Sequence, residues 1–175
     1  MIKKKVIVQG SLQSLSEFFS SPFNKEFEPL AILTNEPEKI NQSIRATKGT
    51  QPEIFTIDTL PHFALKFIDG IVLTDNQSRA ENINRLSKIG IEPHKIILWN
   101  NQGVIEFFNM KAQDGSDYLF MEGLQFHIRN EDDLKFFNQM RGLLQKQRQM
   151  YALNPSQYSV FISQQYQKTF GKPLD

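Results

Sequence analysis

Three polar dipeptides stand where an α/β protein would hold a ligand. Gly10-Ser11, Thr34-Asn35 and Thr74-Asp75 each follow a short apolar run. In an open parallel sheet, ligands bind beyond the carboxyl ends of the strands, near the point where strand order reverses. Backbone amides after Gly10, at the start of a helix, could hold a phosphate. Asn35 sits where a dinucleotide-binding chain carries an acidic residue for a ribose hydroxyl. Asp75 could grip a ribose or serve catalysis, but the favoured reading is a cap of its own helix. Against nucleotide chemistry stands the loop itself. Gly10-Ser11-Leu12-Gln13-Ser14-Leu15 has one glycine where G-x-G-x-x-G has three, so a pyrophosphate could not approach as closely. Cofactor-binding candidates are therefore Gly10, Ser11, Thr34, Asn35, Thr74 and Asp75, with a nucleotide or nucleotide-sugar as the candidate ligand.

Other chemistry is sparse. His62, His94 and His127 are scattered, with no second histidine at metal-ligand spacing. Glu131-Asp132-Asp133 resembles a metal cluster but also suits the first turn of a helix, which attracts acids. Arg129 beside it reads as a surface ion pair. G-x-S-x-G, P-loop lysine and H-E-x-x-H motifs are all missing. With no cysteine, disulfides, thiolate zinc sites and cysteine nucleophiles are excluded.

The elements that must position the candidates follow from periodicity. Strands are expected at about 4–9, 27–34, 53–57, 70–74 and 95–99, and helices at about 12–19, from Pro37, 62–67 and from Asp75 or Asn76 to 89. Ser78-Arg79-Ala80-Glu81 fits a capping box, and Gly90 ends that helix. Residues 43–52 read as a loop. Alternating strands and helices imply crossovers and a parallel sheet covered on both faces. The expected fold is α/β: a Rossmann-like, doubly wound, mostly parallel five-stranded sheet over residues 1–100. A β-hairpin extension follows over 101–130, with extended arms at 103–110 and 117–127 around Gln113-Asp114-Gly115-Ser116. A helical extension over 131–175 completes it. Its long helix has an Asn130 cap, early acids, Lys146 and Arg148 in its last turn and a stop at Asn154-Pro155. A further helix is expected at 156–166.

A net charge of +1 and only Lys3-Lys4-Lys5 as a basic cluster give no support to nucleic-acid binding. No signal-peptide core and no apolar run near the roughly 18 residues of a membrane span are present. A cytoplasmic protein without membrane insertion is expected.

Two stretches carry a resemblance. Ile89-Gly90-Ile91-Glu92-Pro93-His94-Lys95-Ile96-Ile97 and Phe27-Glu28-Pro29-Leu30-Ala31-Ile32-Leu33-Thr34-Asn35 resemble Rossmann-like N-terminal domains of bacterial surface-polysaccharide (capsule or lipopolysaccharide) biosynthesis proteins. In those domains the second strand ordinarily ends in two aspartates, where this chain has Thr34 and Asn35. The tail from Leu153-Asn154-Pro155 to Gly171-Lys172-Pro173-Leu174-Asp175 resembles the lead-in to ATP-grasp-like proteins of teichuronopeptide and capsule synthesis. The resemblance implies an accessory nucleotide- or nucleotide-sugar-binding domain of a larger protein, with catalysis in a following domain. Two other readings stay open. A stand-alone transferase or NAD-dependent sugar-modifying enzyme would line a pocket with Ser11, Asn35, Thr74 and Asp75. An interaction module, self-associating as a homodimer or docking a following domain, would expose Leu134, Phe137, Met140 and Leu144.

Overall fold

A computed structural model describes residues 3–44 and 52–153, with isolated positions beyond (160, 163–164, 167–168 and 171). Five strands form a parallel sheet: β1 (Lys4–Gln9), β2 (Phe27–Leu33), β3 (Glu53–Phe55), β4 (Gly70–Leu73) and β5 (Ile96–Leu98). Their order is β3-β2-β1-β4-β5, so the order reverses between β1 and β4. In register, Val8 lies between Ile32 and Val72.

These residues form strands because both faces of the sheet are covered. Such strands read as continuous β-branched runs rather than alternating ones. Side chains still alternate in direction. Val6, Val8, Ile32, Val72 and Ile97 meet Leu15 and Phe18 of helix α1 (Leu12–Ser20) and Ile40 of α2 (Pro37–Ile44). Trp99 is buried there too, edge-on to the Phe18 ring at 5.1 Å. On the opposite face Ile7, Leu33, Ile71, Leu73 and Leu98 meet Leu86 of α3 (Arg79–Lys88) and the apolar side chains flanking the 3₁₀ turn His62–Lys66.

Helix boundaries have local causes. Ser11 caps α1 in a reciprocal box with Ser14: each backbone N–H donates to the other's hydroxyl, at 3.0 and 3.3 Å. Gly90 ends α3 at φ +96°. Gly90 N–H donates to Ser87 O and Ile91 N–H to Leu86 O, which is a Schellman closure with Ile91 and Leu86 in one apolar cluster. The α3 start departs from expectation. Ser78 makes no side-chain cap, and Asp75 instead accepts the Gln77 N–H at 3.1 Å, closing a turn ahead of the helix.

Beyond β5 the expected hairpin is a three-stranded antiparallel sheet, β6 (Phe108–Lys111), β7 (Asp117–Met121) and β8 (Leu124–Ile128), in that order. The arm expected over 117–127 is itself two strands, joined by Glu122-Gly123 with φ of +52° and +82°. Two successive positive-φ residues are what a tight hairpin turn needs. Helix α4 (Glu131–Leu153) lies across this sheet. Phe137, Met140 and Leu143 pack on Leu119, Met121, Phe126 and Ile128, so most of the stripe expected to be exposed is turned inward. Leu134 alone of the four expected residues is clearly exposed. Asn130 Oδ1 accepts the Asp133 N–H at 3.0 Å, capping α4 as expected.

Arg148 is not in the last turn, because α4 continues to Leu153. Its guanidinium is buried and bonds Glu26, just before β2, and Glu122 of the β7–β8 turn. It also lies over the Phe27 ring at 5.7 Å. This cluster fastens the C-terminal layer to the parallel sheet. Residues 45–51 of the expected loop, and most of the helix expected at 156–166, lie outside the described residues.

Candidate functional site

The carboxyl edge of the parallel sheet gathers all six cofactor-binding candidates, but on two sides. On the α1 side, Gly10, Ser11 and Thr74 join Ser14 in a closed network. Thr74 Oγ1 donates to the Gln9 carbonyl at 2.8 Å and lies 2.9 Å from Ser14 Oγ. A Cβ on Gly10 would stand 2.1 Å from Thr74 Oγ1 and 2.4 Å from Ser14 Oγ. The single glycine is thus needed for packing of the protein against itself. The amides of Ser11 and Ser14 are already spent inside the capping box.

The next amide of α1 is engaged as well. Leu12 N–H donates to Glu36 Oε2 at 3.2 Å. Glu36 is held there because its own N–H donates to Thr34 Oγ1 at 3.1 Å, in a turn just before Pro37 opens α2. Lys39 Nζ approaches the other carboxylate oxygen at 3.5 Å. A carboxylate therefore occupies the helix N-terminus where a phosphate would approach.

On the α3 side lies a pocket of about 20 Å³, lined by Gln9, Leu33, Thr34, Asn35, Ile57, Asn82, Arg85 and Leu86. Gln9 and Asn82 are each 7% exposed, yet Gln9 Oε1 and Asn82 Nδ2 have no partner among the described residues. Buried polar atoms are ordinarily paired, and an unpaired one costs about 1–3 kcal/mol. Arg85, at the mouth, is half exposed and bonds Glu81 at 2.6 Å. Thr34 and Asn35 thus line this pocket, while Gly10, Ser11, Thr74 and Asp75 do not. Of the four residues the enzyme reading placed together, only Asn35 borders it.

Gln9, Asn82 and Glu36 were not among the candidates. Signals for two of them exist. Gln9 follows the apolar run of β1 at a position sharing Ile7's face, and Asn82 sits one turn before Leu86 on the core side of α3. Glu36 has no such signal, since its partner lies 24 residues away.

A second constellation was also missed. Ser116 Oγ lies 2.7 Å from His127 Nε2, the contact a serine nucleophile needs. Asp114, however, bonds the serine rather than the outer nitrogen of the histidine. The serine proton is directed to a carboxylate, so His127 gains no general-base role, and Asp114 also accepts the Ser116 N–H in the turn. Those bonds hold the exposed Asp114 carboxyl below its usual range.

His94 is half exposed and meets Glu92 at 3.0 Å, a carboxylate neighbour the sequence reading did not give it, and His62 lies exposed on its 3₁₀ turn. Arg129 pairs with Asp133 at 3.3 Å on the surface, as expected. Among the described residues no group of three or more His, Cys, Asp or Glu could hold a metal ion. None of their helices is long and apolar enough to cross a membrane. No family model matches this chain, and no curated protein or solved structure is significantly similar to it.

Proposed function

We propose that the chain is an accessory ligand-binding domain of the Rossmann-like type, holding a nucleotide or nucleotide-sugar without transforming it. The observation that carries this reading is the pocket at the carboxyl edge, where Gln9, Thr34, Asn35 and Asn82 stand among apolar side chains. It sits beside the end of β1, next to the reversal of strand order where open α/β sheets place their ligands. The order β3-β2-β1-β4-β5 matches the first five strands of a dinucleotide-binding sheet. The sequence resemblance to N-terminal domains of surface-polysaccharide biosynthesis proteins supplies the setting: a nucleotide-sugar presented to a catalytic domain.

A transferase or dehydrogenase acting alone is less well supported. Among the described residues the edge joins no nucleophile to a base, and Ser116–His127 lacks the orienting carboxylate. A pure interaction module is weakened by the inward turn of Phe137 and Met140. Calorimetric titration of the chain with UDP-sugars, ATP and NAD tests the proposal. Heat and saturation with at least one at millimolar concentration are expected; silence across the panel would overturn it.

A further inference from the structure

Gln9 and Asn82 are both more than nine-tenths buried, on different elements, and line one pocket; each carries a polar atom with no partner among the described residues. One is an acceptor and the other a donor. Turning both amides over together reverses the order, so the pair reads a donor beside an acceptor either way round. That is the pattern of an amide, an imide or a nucleobase edge. A pocket of about 20 Å³ admits one water-sized group. What enters is thus the polar edge of a ligand, with its ring held at the mouth between Asn35 and Arg85.

Charge around the edge narrows the ligand further. Gln9, Asn82, Thr34 and Asn35 are neutral. Arg85 is already paired with Glu81. The helix amide nearest the edge is taken by the Glu36 carboxylate, itself beside Lys39, so that seat is filled before a phosphate arrives. We infer that this site takes an uncharged ligand edge of the amide or imide class, as in a nucleobase, and that Glu36 denies the phosphates of any nucleotide a seat on α1. The inference rests on the reading of the carboxyl edge as a ligand site. It deepens that reading by assigning recognition to the base and none to the phosphates.

The test is calorimetric titration of the full chain with free bases, nicotinamide, nucleosides, their monophosphates and inorganic phosphate. The wild type is compared with Gln9→Met, Asn82→Leu and Glu36→Gln. Expected is a nucleoside and its monophosphate bound within about threefold of each other, since no phosphate contact contributes. Gln9→Met and Asn82→Leu should each weaken both by about tenfold, the loss of one buried hydrogen bond. Their melting temperatures should not fall, because each removes an unpaired buried polar atom. Glu36→Gln should strengthen the monophosphate about fivefold over the nucleoside.

A wild-type monophosphate at least about tenfold tighter than its nucleoside overturns the inference and leaves the nucleotide reading standing. So does nucleoside binding that both amide variants leave intact. Binding of a free base or nicotinamide with no nucleotide bound supports the inference and overturns the nucleotide reading. No binding by any probe overturns both, the two amides then holding a water only.

Discussion

Replacing Arg148 with leucine removes the guanidinium that bonds two carboxylates at the seam between the C-terminal layer and the parallel sheet. The Arg148 side chain is 3% exposed, that of Glu122 is 1% and that of Glu26 is 15%. After Arg148→Leu, Glu122 stays buried near Glu26, with Lys4 Nζ 3.4 Å from its backbone carbonyl as the nearest cation. Breaking a buried pair by removing one partner costs about 3–5 kcal/mol, because the remaining charge is uncompensated. For a chain of this size that lowers the melting temperature by about 10 °C. The assay is thermal and urea unfolding at pH 7 and pH 5.

The pH dependence has a definite sign. Burial pushes the Glu122 carboxyl above the usual range and Glu26 adds to it, while Arg148 and Lys4 oppose. A raised carboxyl binds its proton more readily in the folded state, so it costs stability above its folded value. That cost is relieved as pH falls toward the ordinary glutamate range. Without Arg148 the carboxyl rises further, and the gap to wild type should narrow between pH 7 and pH 5. Arg148→Leu/Glu122→Gln should recover about half the loss or more, because it removes the stranded charge. A single variant within about 1 kcal/mol of wild type, a gap unchanged with pH, or a double variant worse than the single would refute the argument.

Three further outcomes are expected. Gly10→Ala should destabilise by about 2 kcal/mol or more, because its Cβ would overlap Thr74 Oγ1 and Ser14 Oγ; adding Ser14→Ala should return part of this in urea unfolding. Phe137→Ala should cost about 3–5 kcal/mol and raise amide exchange in β7 and β8, since Phe137 is 1% exposed between Phe107 and Phe126. Partial burial pushes the Glu106 carboxyl up, but bonds from Arg79 and Asn100 outweigh it and hold the group below its usual range. Its contribution is present above the ordinary glutamate range and lost as pH falls through the depressed folded value. Exposure screens it to below about 1 kcal/mol, which Glu106→Gln unfolding curves at pH 7 and pH 3 would read.

Local signals carried most of the parallel sheet. Val6-Ile7-Val8 is buried on both faces, so its apolar run marks the centre of β1. Pro37 and Gly90 mark their helix ends because their backbone chemistry is local. The Glu122-Gly123 turn was not legible. Glutamate rarely adopts φ near +52°, and here the buried bond to Arg148, 26 residues away, accompanies that conformation. Arg148 itself fits a helix-end pattern, but its partner Glu26 lies 122 residues distant. The edge behaves likewise. Thr34 and Asn35 were legible from their place after a strand, whereas Gln9 and Asn82 meet only once β1 and α3 are packed.

The most direct test of the edge as a binding site is a heteronuclear NMR titration that follows the side-chain amide resonances of Gln9 and Asn82. Saturable shifts in both are predicted on adding a nucleoside, with the backbone amides of α4 unmoved. Resonances that stay fixed through millimolar nucleoside, nucleotide and nucleotide-sugar would contradict the account.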